Sequence, residues 1–390
     1  MAITVWMALT TGACLYLLVL TCLSGRGRTP PSAARTPFFD VIVPAHNEAA
    51  GIQRTVANLR QLDWPAGRFR VVVIADNCTD DTARMAREAG ALVLERQDLA
   101  NRGKGYALAH VFRWSRADAK ADAVVVVDAD SEASANLLQS FAARLELGSH
   151  ALQAHYGVLN ASASWRTRLM AIALGSIHKL RSRARERLGL SCGIRGNGWC
   201  VTHALLDEIP YEAYSLTEDV EFGIDLGLAG YRVAYCDEAH VDGEMVSTES
   251  AARSQRQRWE SGRLRLIRTK VPALVRRAVM GPSRVCLDLA LDLLILPLSY
   301  IVLGAAVLLA LTLTLSIMSP AAFNLTLLGV SGVDCAALAA YVCRGWALSG
   351  VGVAGFWDLL RVPGFIFWKL LLLVSGPKAT TWIRTKREGP

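Results

Sequence analysis

The sequence predicts an α/β domain with a mostly parallel sheet, set between membrane-associated helices at both ends of the chain. Three observations predict it: long apolar runs near both termini, strand and helix patterns that alternate through residues 38–127, and polar clusters placed just after the strands.

At 390 residues and 52% hydrophobic, with a positive mean hydropathy, the chain is more apolar than most soluble enzymes. Part of it is therefore expected in lipid. The formal net charge of +8 comes from 42 Lys and Arg against 34 Asp and Glu. These cations gather beside the apolar runs and in residues 166–187 and 253–277, which suits anionic lipid headgroups or a diphosphate ligand. There is no nucleic-acid-binding motif, so no nucleic-acid partner is expected. The nine cysteines form no CxxC pair and are expected to pack as thiols in a reducing compartment.

Residues 3–23 carry no charge and have about the roughly 20 residues that a spanning helix needs. Arg26, Arg28 and Arg35 follow at once, whereas a cleaved signal peptide carries its charge before the apolar core. The positive-inside rule then places the N-terminus outside and the chain from residue 24 in the cytosol. The expected organisation is a transmembrane helix at 1–24, a cytosolic domain at 36–250, a basic interfacial region at 251–281, transmembrane or re-entrant helices at 282–376 and a basic cytosolic tail at 377–390.

Near the C-terminus, Val285–Ile317 is apolar and long enough for one tilted helix, with Asp288, Asp292 and Pro297 in its first third. Ala321–Cys343 is a second run, and Phe356–Val374, interrupted by Arg361, Pro363, Gly364 and Lys369, is a third. Three spans in total are favoured and four stay open. Asp288 and Asp292 share one helix face, which admits a transporter reading; an ordinary interfacial position is preferred.

Within the cytosolic segment, Phe38–Val43, Arg70–Ala75, Ala91–Glu95 and Ala123–Val127 read as strands, and Ala50–Leu62 and Thr79–Ala89 as helices. Strand, crossover and strand in succession imply a parallel sheet. Ligands of such sheets bind outside the carboxyl ends of the strands.

The residues at those ends carry the chemistry. Pro44-Ala45-His46-Asn47-Glu48 follows the first strand and Asp76-Asn77-Cys78-Thr79-Asp80 the second; each also reads as a turn with a helix cap. Asp128-Ala129-Asp130 places two carboxylates one residue apart, which are costly to bury without a cation and suit a divalent ion bridging to a diphosphate. Acidic loops without a ligand are the plain alternative. Arg102-Gly103-Lys104-Gly105 gives the backbone close approach and supplies a point charge for phosphate, without the spacing of a Walker loop. Thr217-Glu218-Asp219 reads either as a capped helix start or as the source of a general base, Asp219 first and Glu218 second. Gln255-Arg256-Gln257-Arg258-Trp259 lies on a basic amphipathic helix, suited to headgroups, to a pyrophosphate at Arg258 and to a sugar face at Trp259.

Together and in this order, these elements resemble the family 2 membrane glycosyltransferases over about residues 38–270. That group includes cellulose, chitin and hyaluronan synthases and the ceramide glucosyltransferases. The resemblance implies a Rossmann-like GT-A fold and a hexosyltransferase that inverts configuration with a divalent metal, Mn2+ or Mg2+. By position, Glu48, Asp76, Lys104 and Asp128 look like donor-nucleotide contacts, and Asp128 and Asp130 like the DxD pair, with Asp130 the direct metal ligand. Asp219 matches the proposed base, and Gln255, Arg258 and Trp259 match the QxxRW motif at diphosphate and acceptor. Gly198 and Trp199, within Gly196–Cys200, match more loosely the lining of the acceptor path.

The partners so implied are a nucleotide sugar, with uridine the commoner base among relatives, a lipid or saccharide acceptor, and membrane lipids; self-association is left open. A bacterial inner membrane with the catalytic domain in the cytosol is the expected location. The tail Trp382–Lys386 resembles a segment that closes over the donor, or else binds headgroups. The few spans favour transfer of one or a few sugars to a lipid; a processive synthase of an extracellular polysaccharide is the first alternative and a non-catalytic nucleotide-sugar receptor the second.

Overall fold

The computed structural model describes residues 2–245, 249–362 and 364. Helix α1 (Ala2–Leu23) leads into an alternating segment of β1 (Phe39–Ala45), α2 (Ile52–Arg60), β2 (Phe69–Asp76), α3 (Thr82–Glu88), β3 (Leu92–Arg96), α4 (Lys104–Asp118) and β4 (Ala123–Val126). Then come β5 (Ser131–Ala133), α5 (Leu137–Glu146), β6 (Ala151–Val158), α6 (Trp165–Leu174), a π-helical turn at Gly175–Leu180 and α7 (Arg181–Arg187). The domain closes with β7 (Trp199–Thr202), α8 (His203–Glu208), α9 (Glu218–Leu228) and β8 (Val233–Gly243). Beyond it lie α10 (Glu249–Met280), α11 (Arg284–Leu294), α12 (Leu298–Met318), α13 (Ala322–Ser349) and α14 (Gly352–Asp358).

The strands form one sheet in the order β3-β2-β1-β4-β7-β6-β8-β5. Pairs β1–β2, β1–β4, β2–β3 and β6–β8 are parallel, and β4–β7, β6–β7 and β5–β8 are antiparallel. The parallel half is built from near-continuous Val and Ile because helices cover both of its faces. Val41, Val43, Val73 and Val125 face Ile52, Val56 and Phe141, while Ile42, Val72, Ile74 and Val124 face Leu108, Val111 and Phe222. The alternating side chains of each strand thus feed two cores, and the carboxyl ends of β1, β2 and β4 open on a common edge.

Two expectations change. The stretch Val285–Ile317 is not one helix: α11 ends at Leu294 and α12 starts at Leu298. Pro297 bars its predecessor from helical geometry and breaks the run there. The cations of residues 166–187 are in part internal. Arg185, fully buried, lies 2.8 Å from Asp288 and 2.7 Å from Asp292, and Arg181 lies 3.1 Å from Asp292. Asp288 and Asp292 are thus counter-ions to buried arginines of α7, as buried charges require partners.

Among the described residues, three helical segments are long and apolar enough to cross a membrane: Ile3–Cys22, Leu298–Met318 and Ala322–Ser349. Tyr16 of α1 donates to Asp288 at 2.8 Å, and Arg344 of α13 donates to Ser24 at 3.0 Å, so α1 is tied to both C-terminal parts. The run Phe356–Val374 is described only at its start, and the tail 377–390 lies outside the described residues.

Candidate active site

The carboxyl ends of β1, β2 and β4 meet the N-termini of α4 and α9. At the first two, His46 Nδ1 lies 2.7 Å from the Asp76 carbonyl, the Glu48 amide donates to Thr82 Oγ1 at 2.8 Å, and the Thr79 amide donates to Asn47 Oδ1 at 2.7 Å. These cross-links hold Glu48 and Asp76 on one rim. Asp76 is buried and receives Arg96 Nη1 at 2.6 Å.

The centre is Lys104, the first residue of α4. Its Nζ donates to Asp128 Oδ1 at 2.5 Å and to the Gly196 carbonyl at 2.9 Å, and lies 3.8 Å from Glu218 Oε1. One ammonium therefore joins the DxD pair, the glycine-rich loop before β7 and the start of α9. Gly105 permits this, since a Cβ there would come 2.2 Å from the Ala213 carbonyl in the segment leading to α9.

Asn197 clamps the acidic turn from the opposite side. Its buried Oδ1 accepts from the Asp128 amide at 2.9 Å, and its Nδ2 donates to Ser131 Oγ at 2.7 Å; Ser131 in turn donates to Asp130 at 3.2 Å. Gln153 holds the same loop by accepting from the Arg195 amide at 2.8 Å and donating to the Asn197 carbonyl at 2.6 Å. Gly198, at φ +69, crosses so close to β8 that a Cβ would meet Val241 at 2.7 Å.

Glu218 and Asp219 start α9, with Thr217 as its N-cap residue. Asp219 Oδ2 lies 3.7 Å from where a Gly196 Cβ would stand. Burial pushes the Glu218 carboxyl up to about 7; Lys104 opposes that rise and the neighbouring Asp219 adds to it. Asp219 is raised for the same first reason, burial, again against the Lys104 charge. Burial works against the charge on Lys104, but Asp128 and Glu218 outweigh it and hold the ammonium above its ordinary value. A buried carboxylate pair whose proton affinity is raised, held beside a fixed cation, can accept a proton from a hydroxyl.

The DxD turn fits a divalent ion in one specific sense. Among the described residues no group of three or more His, Cys, Asp or Glu could enclose one, so Asp128 and Asp130 form an open, incomplete set. Mg2+ and Mn2+ at nucleotide sites take one or two carboxylates and complete their shell with phosphate and water oxygens.

Helix α10 carries positions 255, 258 and 259. Gly262, three residues after Trp259 and on the same face, packs against Thr217, where a Cβ would meet Thr217 Cγ2 at 2.5 Å. The QxxRW turn therefore runs beside the start of α9. Trp259 is half-buried; the side chains of Gln255 and Arg258 lie outside the described residues. Trp199 is a correction: wholly buried, it packs between Phe112, Tyr211 and Phe222 and forms the floor of the site instead of an open acceptor path. Its large ring pairs with aromatics of α4, of α9 and of the segment after α8.

Arg96 and Gln153 escaped the sequence reading, and Asn197 entered it only as part of Gly196–Cys200, without a role of its own. Arg96 ends β3 and so obeys the strand-end rule, which would have found it. Gln153 carries no local signal.

The family described as glycosyltransferase like family 2 matches residues 36–262. Beta-monoglucosyldiacylglycerol synthases from Nostoc sp. and Synechocystis sp. are both 30% identical, over 58% and 62% of this chain and 49% and 50% of theirs. Glucomannan 4-beta-mannosyltransferase 7 from Arabidopsis thaliana is 23% identical over 63% of this chain and 46% of its own. The chain spans about half the length of the curated relatives it matches. A mannosyltransferase from Pyrobaculum calidifontis, solved with GDP-Man and Mn2+, superposes with a TM-score of 0.54 at 16% identity, over 91% of this chain and 98% of that one, a likeness of fold.

Proposed function

Since this chain belongs to the glycosyltransferase like family 2, we propose that it transfers a sugar from a nucleoside diphosphate donor to a hydroxyl of a membrane lipid, inverting the anomeric centre. The fold is the GT-A-like mixed sheet that the resemblance implied. The observation that carries the reading is the single contact set of Lys104 with Asp128, Gly196 and Glu218 at the sheet edge.

Asp219, supported by Glu218, takes the proton of the acceptor hydroxyl, whose oxygen forms the new bond to the anomeric carbon. The bond to the diphosphate oxygen breaks and its electron pair leaves with the diphosphate. Lys104 and Arg258 stabilise that leaving charge, Glu48 and Asp76 hold the nucleotide, Gln255 orients the diphosphate, and Trp259 offers a face to the sugar. A Mn2+ or Mg2+ ion held by Asp130 and Asp128 would supply further neutralisation of the diphosphate. Gly198 keeps the loop over the site close to β8, with Trp199 beneath it. A uridine nucleotide is the preferred donor.

The lipid acceptor is supported by the candidate spans and by the glucosyldiacylglycerol-forming relatives. With the ends arranged as expected, residues 36–250 lie in the cytosol at the inner membrane and the basic region 251–281 lies along its surface. The test is incubation of detergent-purified protein with nucleotide sugars, Mn2+ and lipid extract, following nucleoside diphosphate release and product mass. A discrete glycolipid lost in Asp219→Asn supports the reading; no transfer from any donor refutes it. The glucomannan-forming relatives carry the second reading, a processive synthase, and a ladder of lengthening products would establish that instead.

A further inference from the structure

A cavity of about 260 Å3 lies apart from the carboxylate cluster, between the β6–β8 half of the sheet, the π-helical turn and the end of α13. His155, Lys179, Asp237, His240 and Asp242 line it, with Leu348 and Ser349 of α13. The register places His155 beside His240 and Gly157 beside Asp242 on adjacent strands, so these residues share one sheet face. Gly157 makes the room: a Cβ there would come 2.2 Å from Asp242 Oδ1.

Several features set it apart from an ordinary packing defect. His155 Nδ1 and Asp237 Oδ2 are buried atoms with no hydrogen-bond partner among the described residues, and both residues line the cavity. Buried polar atoms are satisfied in nearly all native structures, so a cavity that collects two of them calls for a hydroxylated occupant. The π-helix that presents Lys179 is a rare form found often at functional sites. Burial, with Arg183 adding to it, lowers the Lys179 ammonium from its ordinary value, which weakens the case for a fixed anion site.

The place of the cavity identifies the source. The helices α1 and α13 both end here: Ser24 accepts from Arg344 at 3.0 Å, Arg26 reaches to 3.9 Å from Asp237 Oδ2, and Ser349 lines the wall. Exposed Phe356 and Trp357 flank this end, as aromatic side chains do at the headgroup level of a bilayer. Tyr156, between His155 and Gly157 on β6, turns to the other face, where its ring is 3.6 Å from the Cβ position of Gly196 and 3.0 Å from that of Gly243. One strand thus separates the cavity from the reaction site.

We infer that the cavity binds the neutral, hydroxyl-bearing headgroup of a lipid at the membrane surface, as a docking position across β6 from Asp219 that the acceptor occupies before it moves to the reaction site. Asp237, held by Arg183 at 2.9 Å, and Asp242, facing His240 at 3.7 Å, offset the charge of Lys179, so the lining as a whole favours a neutral headgroup, and carboxylate, imidazole and amine together satisfy hydroxyls as donors and acceptors. The volume, near the lower end of ligand pockets at about 300 Å3, admits one headgroup and not a polysaccharide.

The inference rests on the lipid-acceptor reading, and its test separates the two. Binding of dioleoylglycerol to the full chain in nanodiscs is measured against phosphatidate, in the unaltered protein, Lys179→Ala, Asp237→Asn, His240→Ala and the inactive Asp219→Asn. His240 is half exposed, so its replacement removes no buried partner. The expected result is dioleoylglycerol binding that Asp219→Asn keeps and the three cavity variants weaken about tenfold, with the acceptor KM raised about tenfold and the donor KM moved less than threefold. Binding lost in the cavity variants without any transfer to lipid would support the cavity while refuting the proposed reaction. Transfer to lipid with the acceptor KM unmoved in all three variants would refute the cavity alone, and equal competition by phosphatidate would refute its preference for a neutral headgroup.

Discussion

Arg195 Nη2 lies 2.8 Å from Asp292 Oδ2, which fastens the glycine-rich loop of the active site to a helix at the membrane end of the chain. The next residue, Gly196, accepts from Lys104. Asp292 also faces Arg181 and the fully buried Arg185, so one carboxylate serves three guanidinium groups, two from α7 and one from the loop before β7. Asp292→Asn keeps the shape and removes the charge. It is expected to destabilise the protein by about 3–5 kcal/mol, as loss of one partner leaves buried charge uncompensated. Thermal unfolding in detergent reads this directly; an unchanged melting temperature would show that the cluster carries little weight.

The raised Glu218 carboxyl gives the reaction a pH dependence with a definite sign. A general base works when deprotonated, so kcat/KM should fall as pH drops through about 7, the value to which burial pushes Glu218, and level off above it. The two adjacent carboxylates titrate as a pair, and the profile reports that pair. Lys104→Met removes the cation that opposes the rise, so the midpoint should move to higher pH. A pH–rate profile of both proteins decides it, and a midpoint that moves down would exclude the carboxylate pair as base.

Asp219→Asn should lower kcat by about 10^2 to 10^4, the range for loss of a positioned base, with donor affinity retained. Calorimetric titration with the nucleotide separates binding from turnover. If Glu218→Gln proves the more damaging change, the two carboxylates exchange roles.

Removal of divalent ions with EDTA should abolish transfer, and Mn2+ or Mg2+ should restore it. With no group of three or more candidate ligands among the described residues and the ion resting on Asp128 and Asp130, Asp130→Asn should raise the metal concentration needed for half-maximal rate at least tenfold. Full activity in EDTA would leave Lys104 and Arg258 as the counter-charges to the diphosphate.

Gly105→Ala tests the approach of α4 to the segment before α9. The added methyl would meet the Ala213 carbonyl at 2.2 Å, and overpacking of this kind costs about 1–3 kcal/mol. The expected result is a lower melting temperature together with a lower kcat, because the displaced segment carries Glu218 and Asp219. A fully active, equally stable variant would mean that the segment shifts without disturbing the base.

Much of the fold was legible. The five helices and strands read between Phe38 and Glu95 lie within about three residues of the observed ones, because Val-rich strands and amphipathic helices announce themselves through local periodicity. The strand-end rule led to Asp76, Asp128 and Lys104, which the fold places on one sheet edge. The break at Pro297 was visible as a residue, yet the apolar run around it concealed that two helices of different function meet there.

The sequence by itself determined the alternating α/β pattern, the apolar ends and the acidic and basic residues around which a nucleotide sugar reading can be built, since each is written in neighbouring residues. Only the tertiary structure decided that Asn197 clamps a turn 69 residues away, that Asp288 and Asp292 neutralise buried arginines, and that Trp199 is core. Such roles come from contacts between distant segments, and burial then sets whether a charge must be paired, a carboxyl raised or an indole hidden.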